Sequence, residues 1–475
     1  MSIDQAGVGV VEVGDSNQST HDGIPVEKNA DSDVLRLAEM GYNQEMKRNF
    51  SVVSVLALGF SLTNSWWAVS AAMVTGINSG GPVLFVYGII GLFITGLCMA
   101  ISLSELVSAY PNAAGQSYWV SQLAPPKYAR ILSYVTGWFV WAGSIFASAS
   151  VSLTVGSACV GCYQLTHPDF VIQKWHVFVA YQMVNLFSCL FNCFGTLLPA
   201  IATLGFYTSL ISFAVILITI PAKAPTHQHA EFVFATFINN TGWSSSGIAF
   251  IVGLINPNWG FSCLDTVVHI AEECHQPERL IPIGIIGTVV IGFVTSFTFS
   301  ISMMYSISNF EDIVNTATYV PVLELFYQAV QHRAGAVALE ALVIATAIGS
   351  IISACITLPY VSYCIPTALL LLKGRNNIRH GPFWLGKFGL VANIVLLAFT
   401  LFVIVMYSFP TVMPVQADNM NYVAAVYGII IAIIIVDWFL RGRRQYRSHD
   451  LDTVDGYSLA MVGTADSALP KKPSS

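Results

Sequence analysis

The stretch Gly59-Phe60-Ser61-Leu62-Thr63-Asn64-Ser65-Trp66-Trp67 interrupts a hydrophobic segment that runs from Ser51 to Ile77. A second segment, from Gly247 to His269, is interrupted in the same manner by Asn256-Pro257-Asn258-Trp259-Gly260. An unpaired backbone N–H or C=O in hydrocarbon costs several kcal/mol, so a spanning helix opens only where protein or a cavity receives the freed groups. Two such interrupted spans, at matching places in the two halves of a chain, point to the midplane binding site of a secondary transporter.

The rest of the chain is composed for the same solvent. Of 475 residues, 55% are hydrophobic and 10% charged, against about 25% charged in an average soluble protein. Mean hydropathy is +0.66, and apolar runs of about 20 residues recur, which reads as an all-α polytopic membrane protein. A net charge of −6 without a basic stripe gives no footprint for nucleic acid. Cys159 and Cys162 form a C-x-x-C with no His or Cys cluster beside it, so neither a metal nor a cofactor is expected. No nucleophile–base pair, H-E-x-x-H or phosphate loop occurs, and the chain does not read as an enzyme.

Spans are expected near 51–77, 82–108, 128–160, 175–197, 200–222, 247–274, 281–307, 336–372, 388–409 and 421–440. With the N-terminus inside, one set of loops collects Lys47, Arg48, Lys127, Arg130, Arg279, Lys373, Arg375, Arg379, Lys387, Arg441, Arg443, Arg444 and Arg447. The opposite set collects Lys174, Lys223 and Arg333. This asymmetry predicts cytoplasmic N- and C-termini. Residues 1–46 and 448–475 are polar and read as disordered cytoplasmic tails on a transmembrane domain of 47–447. Asn239-Asn240-Thr241 then falls in an outer loop, making Asn239 a glycan acceptor. The run Ala336–Leu372 carries no charge but Glu340. The charge pattern requires it to cross once, as one long helix with kinks at Pro359 and Pro366.

The stretches GFSLTNSWWAVSAAMVTGINSGGP, SELVSAYPNAAGQSYWVSQLAPPKYAR, NPNWGFSCLDTVVHIAEECHQPERLIP and LLKGRNNIRHGPFWLGKFG resemble the fungal amino acid/choline permeases. That group includes GABA and choline permeases, within the amino acid–polyamine–organocation (APC) superfamily. The resemblance covers about residues 40–445. It implies a five-plus-five inverted-repeat helical bundle with broken helices 1 and 6 and substrate bound between them. One departure stands out. ATAIGSII, which looks like the family's eighth span, runs directly into SACITLPYVSYCIPTALLLLKGRNN, which looks like its tenth. The join near Ser350–Ala354 omits a loop and a span, leaving about ten, with eighth and tenth fused.

The interruptions expose amides and carbonyls at half-helix ends, suited to anionic and cationic groups respectively. Ser61, Thr63, Asn64 and Ser65 at the first, and Asn256, Asn258 and Gly260 at the second, are the candidate substrate ligands. The same side chains also suit a purely structural role, satisfying freed backbone groups. Trp66, Trp67 and Trp259 lie at mid-membrane depth rather than at the interfaces where Trp usually sits. Their faces suit ammonium groups, at roughly 0.5–2 kcal/mol each, as well as core packing. Phe261 is a candidate gate. Asp265, His269 and Glu272 follow at i, i+4 and i+7, one face of an α-helix, and are candidates for proton coupling. Glu105 and Glu340 are further intramembrane carboxylates and further candidates for proton coupling; Glu105 also suits a structural ion pair and Glu340 a cavity wall. The loop 374–387 reads as an inner-surface loop anchored by Trp384.

These readings predict a permease moving a small amine-bearing solute, an amino acid, GABA or choline, by proton-coupled alternating access. The cell membrane is the expected location and the vacuolar membrane the second. The omitted span leaves a second class open, a non-transporting membrane sensor or degenerate permease.

Overall fold

The computed structural model describes residues 50–193, 198–354, 360–416 and 420–446. The expected tails, 1–46 and 448–475, lie outside the described residues. The first segment is built from α1 (Val52–Thr63), α2 (Ser65–Ala71) and α3 (Met73–Asn78). Ser51 starts α1 by accepting from the Ser54 N–H at 3.2 Å, a side-chain N-cap. Asn64 ends it in the left-handed region (φ 33°, ψ 60°), a conformation that Asn tolerates better than most residues.

Next come β1 (Ser79–Gly80), a π turn over Leu84–Gly88 that leads into α4 (Ile89–Ala109), and α5 (Gln116–Leu123). The chain continues with α6 (Pro126–Thr166), α7 (Lys174–Asn192), α8 (Leu198–Lys223), α9 (Ala230–Ala235) and β2 (Ile238–Asn239). At 41 residues, α6 is about 60 Å long, twice a bilayer's hydrocarbon core. The second segment comprises α10 (Ser246–Gly253), α11 (Ile255–Trp259) and a 3-10 helix over Thr266–Glu273. After it come α12 (Pro277–Tyr305), α13 (Phe310–Val314) and α14 (Pro321–Val330). The last helices are α15 (Arg333–Ala354), α16 (Tyr360–Lys373), α17 (Lys387–Met406) and α18 (Val423–Asp437).

Among the described residues, seven helical stretches are long and apolar enough to cross a membrane. They coincide with the expected spans at 51–77, 82–108, 128–160, 200–222, 281–307, 388–409 and 421–440. The 175–197 span is the 19-residue α7, whose Lys174, His176, Gln182 and Asn185 dilute its apolar character. The 247–274 span is a chain of short pieces.

Within Ala336–Leu372, expected as one kinked helix, the described residues on either side of 355–359 belong to α15 and α16. The 22-residue α15 is about 33 Å long and matches the core by itself. The 14-residue α16 packs on α5, α6 and α17, whereas α15 packs on α8, α6, α1 and α14. The joint at 355–359, with the expected kink at Pro359, lies outside the described residues.

The core is a contiguous apolar cluster reaching from Phe50 to Phe399. Small residues let backbones close up in the absence of a hydrophobic drive between helices. On α12, added Cβ atoms at Gly284 and Gly287 would strike Val55 and Leu56 of α1. The strands β1 and β2 pair antiparallel, Ser79 with Asn239 and Gly80 with Ile238. They join the far ends of the two interrupted segments. At the opposite end the basic segments are gathered in pairs: Arg130 donates to the Tyr446 carbonyl at 2.6 Å and Lys373 to the Gln122 carbonyl at 2.8 Å.

Candidate functional site

The two interruptions touch. The Ser65 hydroxyl donates to the Gly260 carbonyl at 2.5 Å. An added Cβ at Gly260 would lie 3.0 Å from both Cα and the carbonyl oxygen of Ser65, so this approach needs glycine. The first lapse in helix geometry is at Asn64, between α1 and α2. The second is displaced. Residues 255–259 are helical, and the irregular backbone covers 260–265, with Cys263 at φ 60°. Pro257 does not break α11 because it falls in the first turn, where no intrahelical N–H partner is lost.

Several candidate ligands are already engaged with the fold. Ser61 donates to the Ala202 carbonyl at 3.0 Å and Thr63 to the Gly59 carbonyl at 3.2 Å. Trp66 is fully buried. Its indole donates to Ser209 Oγ at 2.9 Å, which donates to Asn64 Oδ1 at 3.0 Å. Its ring packs on Phe213 and Phe299. Asn256 donates to the Val69 carbonyl at 3.2 Å, tying the second segment to the first, and Asn258 is buried in α11. Phe261 is 1% exposed and lies against Gly96 of α4; it is a core side chain in this conformation.

Trp67 and Trp259 behave differently. Their rings meet at 5.2 Å with a 52° tilt, and Trp67 lines a cavity of about 200 Å³. The rest of its lining includes Thr154, Ser157 and neighbours on α6, Tyr319 and Val320 before α14, and Glu340 on α15. Sequence reasoning singled out Trp67 and Glu340 but missed the α6 and Tyr319 walls. They come from an unremarkable apolar helix and a loop, and the loop's one signature, Tyr319 at φ 56°, is invisible without coordinates.

Asp265 is fully buried. It accepts from Gln116 Nε2 on Oδ2 and from the Tyr363 hydroxyl on Oδ1, both at 2.5 Å, so it joins α5 and α16. His269 Nδ1 lies 2.8 Å from the Ala113 carbonyl and therefore carries the proton; its Nε2 faces Asp265 Oδ2 at 3.7 Å. The expected α-helical face is replaced by 3-10 geometry that kinks at Ile270. Asp265 and His269 still meet, while Glu272 lies half-buried at the end of the same turn. Gln116 and Tyr363 were not foreseen as partners.

Glu105, fully buried in α4, pairs with Arg375. Arg375 Nη1 lies 2.8 Å from Oε2, and Nη2 donates to Oε1 at 2.9 Å. The Leu385 N–H donates to the same Oε1 at 2.9 Å, and the guanidinium lies 4.3 Å over the Trp384 ring. The anchoring role expected for Trp384 is thus directed at the arginine. Asn239 is half-buried in β2, its Oδ1 accepting from Thr241 Oγ1 at 2.6 Å and its Nδ2 donating to the Trp243 carbonyl at 2.8 Å.

A family model described as amino acid permease matches residues 50–365. The choline transporter of Saccharomyces cerevisiae is 42% identical over 501 residues, covering 89% of each chain. The swainsonine transporter of Arthroderma benhamiae is 33% identical, covering 85% of this chain and 92% of its own. The 7-keto 8-aminopelargonic acid transporter of Saccharomyces cerevisiae is 29% identical, covering 82% and 91%. The first alignment runs over 501 positions yet takes in 89% of this chain of 475. That relative therefore carries positions this chain lacks.

Proposed function

Because the chain belongs to the amino acid permease family, and is a multi-pass secondary transporter rather than an enzyme, we propose that it moves a small amine-bearing solute, an amino acid, GABA or choline, by alternating access. The observation that carries this reading is the cavity beside the interruption, where Trp67 offers an aromatic wall to an ammonium group. A volume of about 200 Å³ suits one small solute and is below the ~300 Å³ at which drug-sized sites begin.

The core would be a five-plus-five inverted repeat in which 52–78 and 246–273 are the two broken helices. Their contact through Ser65 and Gly260 supports treating them as one unit. Proton coupling would run through Asp265 and His269, whose Nε2 faces the carboxylate at 3.7 Å. The Lys/Arg pattern supports cytoplasmic termini and an outward Asn239, open to glycosylation, in the cell membrane first and the vacuolar membrane second.

Uptake of radiolabelled amines by transport-null yeast expressing this chain tests the reading, with Trp67→Ala as the comparison. Accumulation that falls with Trp67→Ala is the expected result. No accumulation of any amine, with the chain present at the surface, overturns it. That second result would favour a non-transporting sensor, a reading supported by the positions missing relative to the choline transporter.

A further inference from the structure

Glu340 is 1% exposed, and its Oε2 has no hydrogen-bond partner among the described residues. It lines the same cavity as Trp67. Among the described residues no Lys, Arg or His lines that cavity; besides the Trp67 indole N–H, the other polar side-chain groups there are the hydroxyls of Thr154, Ser157 and Tyr319. Ionising a carboxyl group buried in this way is among the costliest arrangements in a protein unless a cation pairs with it. A bound cation removes the cost, and the indole face adds attraction of the same sign. A ligand carboxylate would do the opposite, since like charges a few ångströms apart at low dielectric repel strongly. The lining offers it no cation.

We propose that this cavity selects an organic cation that carries no carboxylate, an ammonium or quaternary ammonium such as choline, and excludes zwitterions of similar size. Glu340 is the residue that sets the selection. The proposal rests on the permease reading above and narrows its three solute classes to one. Thr154 and Ser157 supply partners for a ligand hydroxyl, so an amino-alcohol fits the same walls better than an alkylammonium. Trp67 packs against the onium group whichever hydroxyl is used.

Equilibrium binding of radiolabelled choline to the purified full chain in lipid nanodiscs tests this apart from any transport cycle. Displacement is measured with tetramethylammonium, glycine betaine and GABA. Tetramethylammonium should displace choline. Glycine betaine, which has the same onium group and adds a carboxylate, should not, and neither should GABA. Glu340→Gln, which keeps the shape and removes the charge, should weaken choline binding about 30-fold or more. Its elution profile in size-exclusion chromatography serves as the check on folding.

Displacement by glycine betaine as strong as by tetramethylammonium overturns the proposal. So does unchanged choline affinity in Glu340→Gln, or a wild-type chain that binds no onium ion. If a misfolded Glu340→Gln gives no reading, Glu340→Asp decides: weaker choline binding with the same rejection of glycine betaine supports the proposal, and unchanged affinity overturns it. Saturable GABA binding without choline binding would sink this selectivity while leaving the permease reading intact. Absence of amine uptake by cells, with choline binding retained, would do the reverse.

Discussion

Arg375 closes on Glu105 with both guanidinium nitrogens, at 2.8 and 2.9 Å, where the carboxylate is wholly shielded and the arginine side chain 10% exposed. The pair fastens the loop after α16 to α4. Gly389 sits so close that an added Cβ would overlap the Glu105 carboxylate. Removing one partner leaves a buried charge alone, which typically costs about 3–5 kcal/mol. Arg375→Met should therefore lower the thermal unfolding temperature of the purified chain sharply, and Gly389→Ala should do so as well. Glu105→Gln combined with Arg375→Met should recover much of the loss. A double variant no more stable than Arg375→Met alone would show that the loop is held by other contacts.

The contact between the interruptions gives a contrast between two glycines. Alanine at Gly260 would place Cβ 3.0 Å from backbone atoms of Ser65, whereas at Gly96 it would meet the Phe261 ring at 3.4 Å. Backbone cannot step aside as a side chain can, and overpacking costs about 1–3 kcal/mol. Gly260→Ala should reduce both stability and uptake; Gly96→Ala should leave both near wild type. Equal tolerance in the uptake assay would mean that the segments separate easily.

Trp66 and Trp67 are neighbours with different tasks. Trp66→Phe removes the donor that the buried Ser209 hydroxyl accepts from, while Ser209 still donates to Asn64 Oδ1, a loss of about 1–3 kcal/mol for a buried hydrogen bond left unmade. It should lower stability and leave the KM of uptake unchanged. Trp67→Ala, which strips the cavity wall, should raise KM. The reverse pattern would place the solute elsewhere.

Asp265 and Tyr363 share a 2.5 Å hydrogen bond. A double-mutant cycle of Asp265→Asn and Tyr363→Phe, read by thermal unfolding, should give a coupling of about 0.5–3 kcal/mol. If the proton passes between His269 and Asp265, His269→Gln should also flatten the pH dependence of uptake while the wild-type profile stays steep. An unchanged profile would remove His269 from the coupling path.

The apolar spans were readable because hydrocarbon demands long runs without charge, and the sequence has them. The first interruption was readable because Gly, Asn, Ser and Thr cluster within one run. The second was misplaced by about four residues because a proline in a first helical turn looks, in sequence, like one that breaks a helix. The fused run illustrates another limit. Charge parity required one crossing but could not say that α15 and α16 would find different neighbours. The hydroxyl candidates Ser61, Thr63 and Ser65 were found, yet their engagement with main-chain carbonyls depends on which helix lies opposite. Glu340 was legible as a lone carboxylate in an apolar run; its cavity was not, since its walls come from α6, α15 and the turn at Tyr319.

The β1–β2 pairing has a consequence for the route a solute can take. Ser79 and Asn239, Gly80 and Ile238 are joined by main-chain hydrogen bonds, and the Asn240 N–H adds a bond to the Asn78 carbonyl at 2.8 Å. These bonds are made by main chain, so the ends of the two interrupted segments cannot part there without unpairing backbone. Separating the two segments at that end costs the main-chain pairing, whereas the cavity at Trp67 is lined by α6, α15 and the turn at Tyr319 and borders on neither strand.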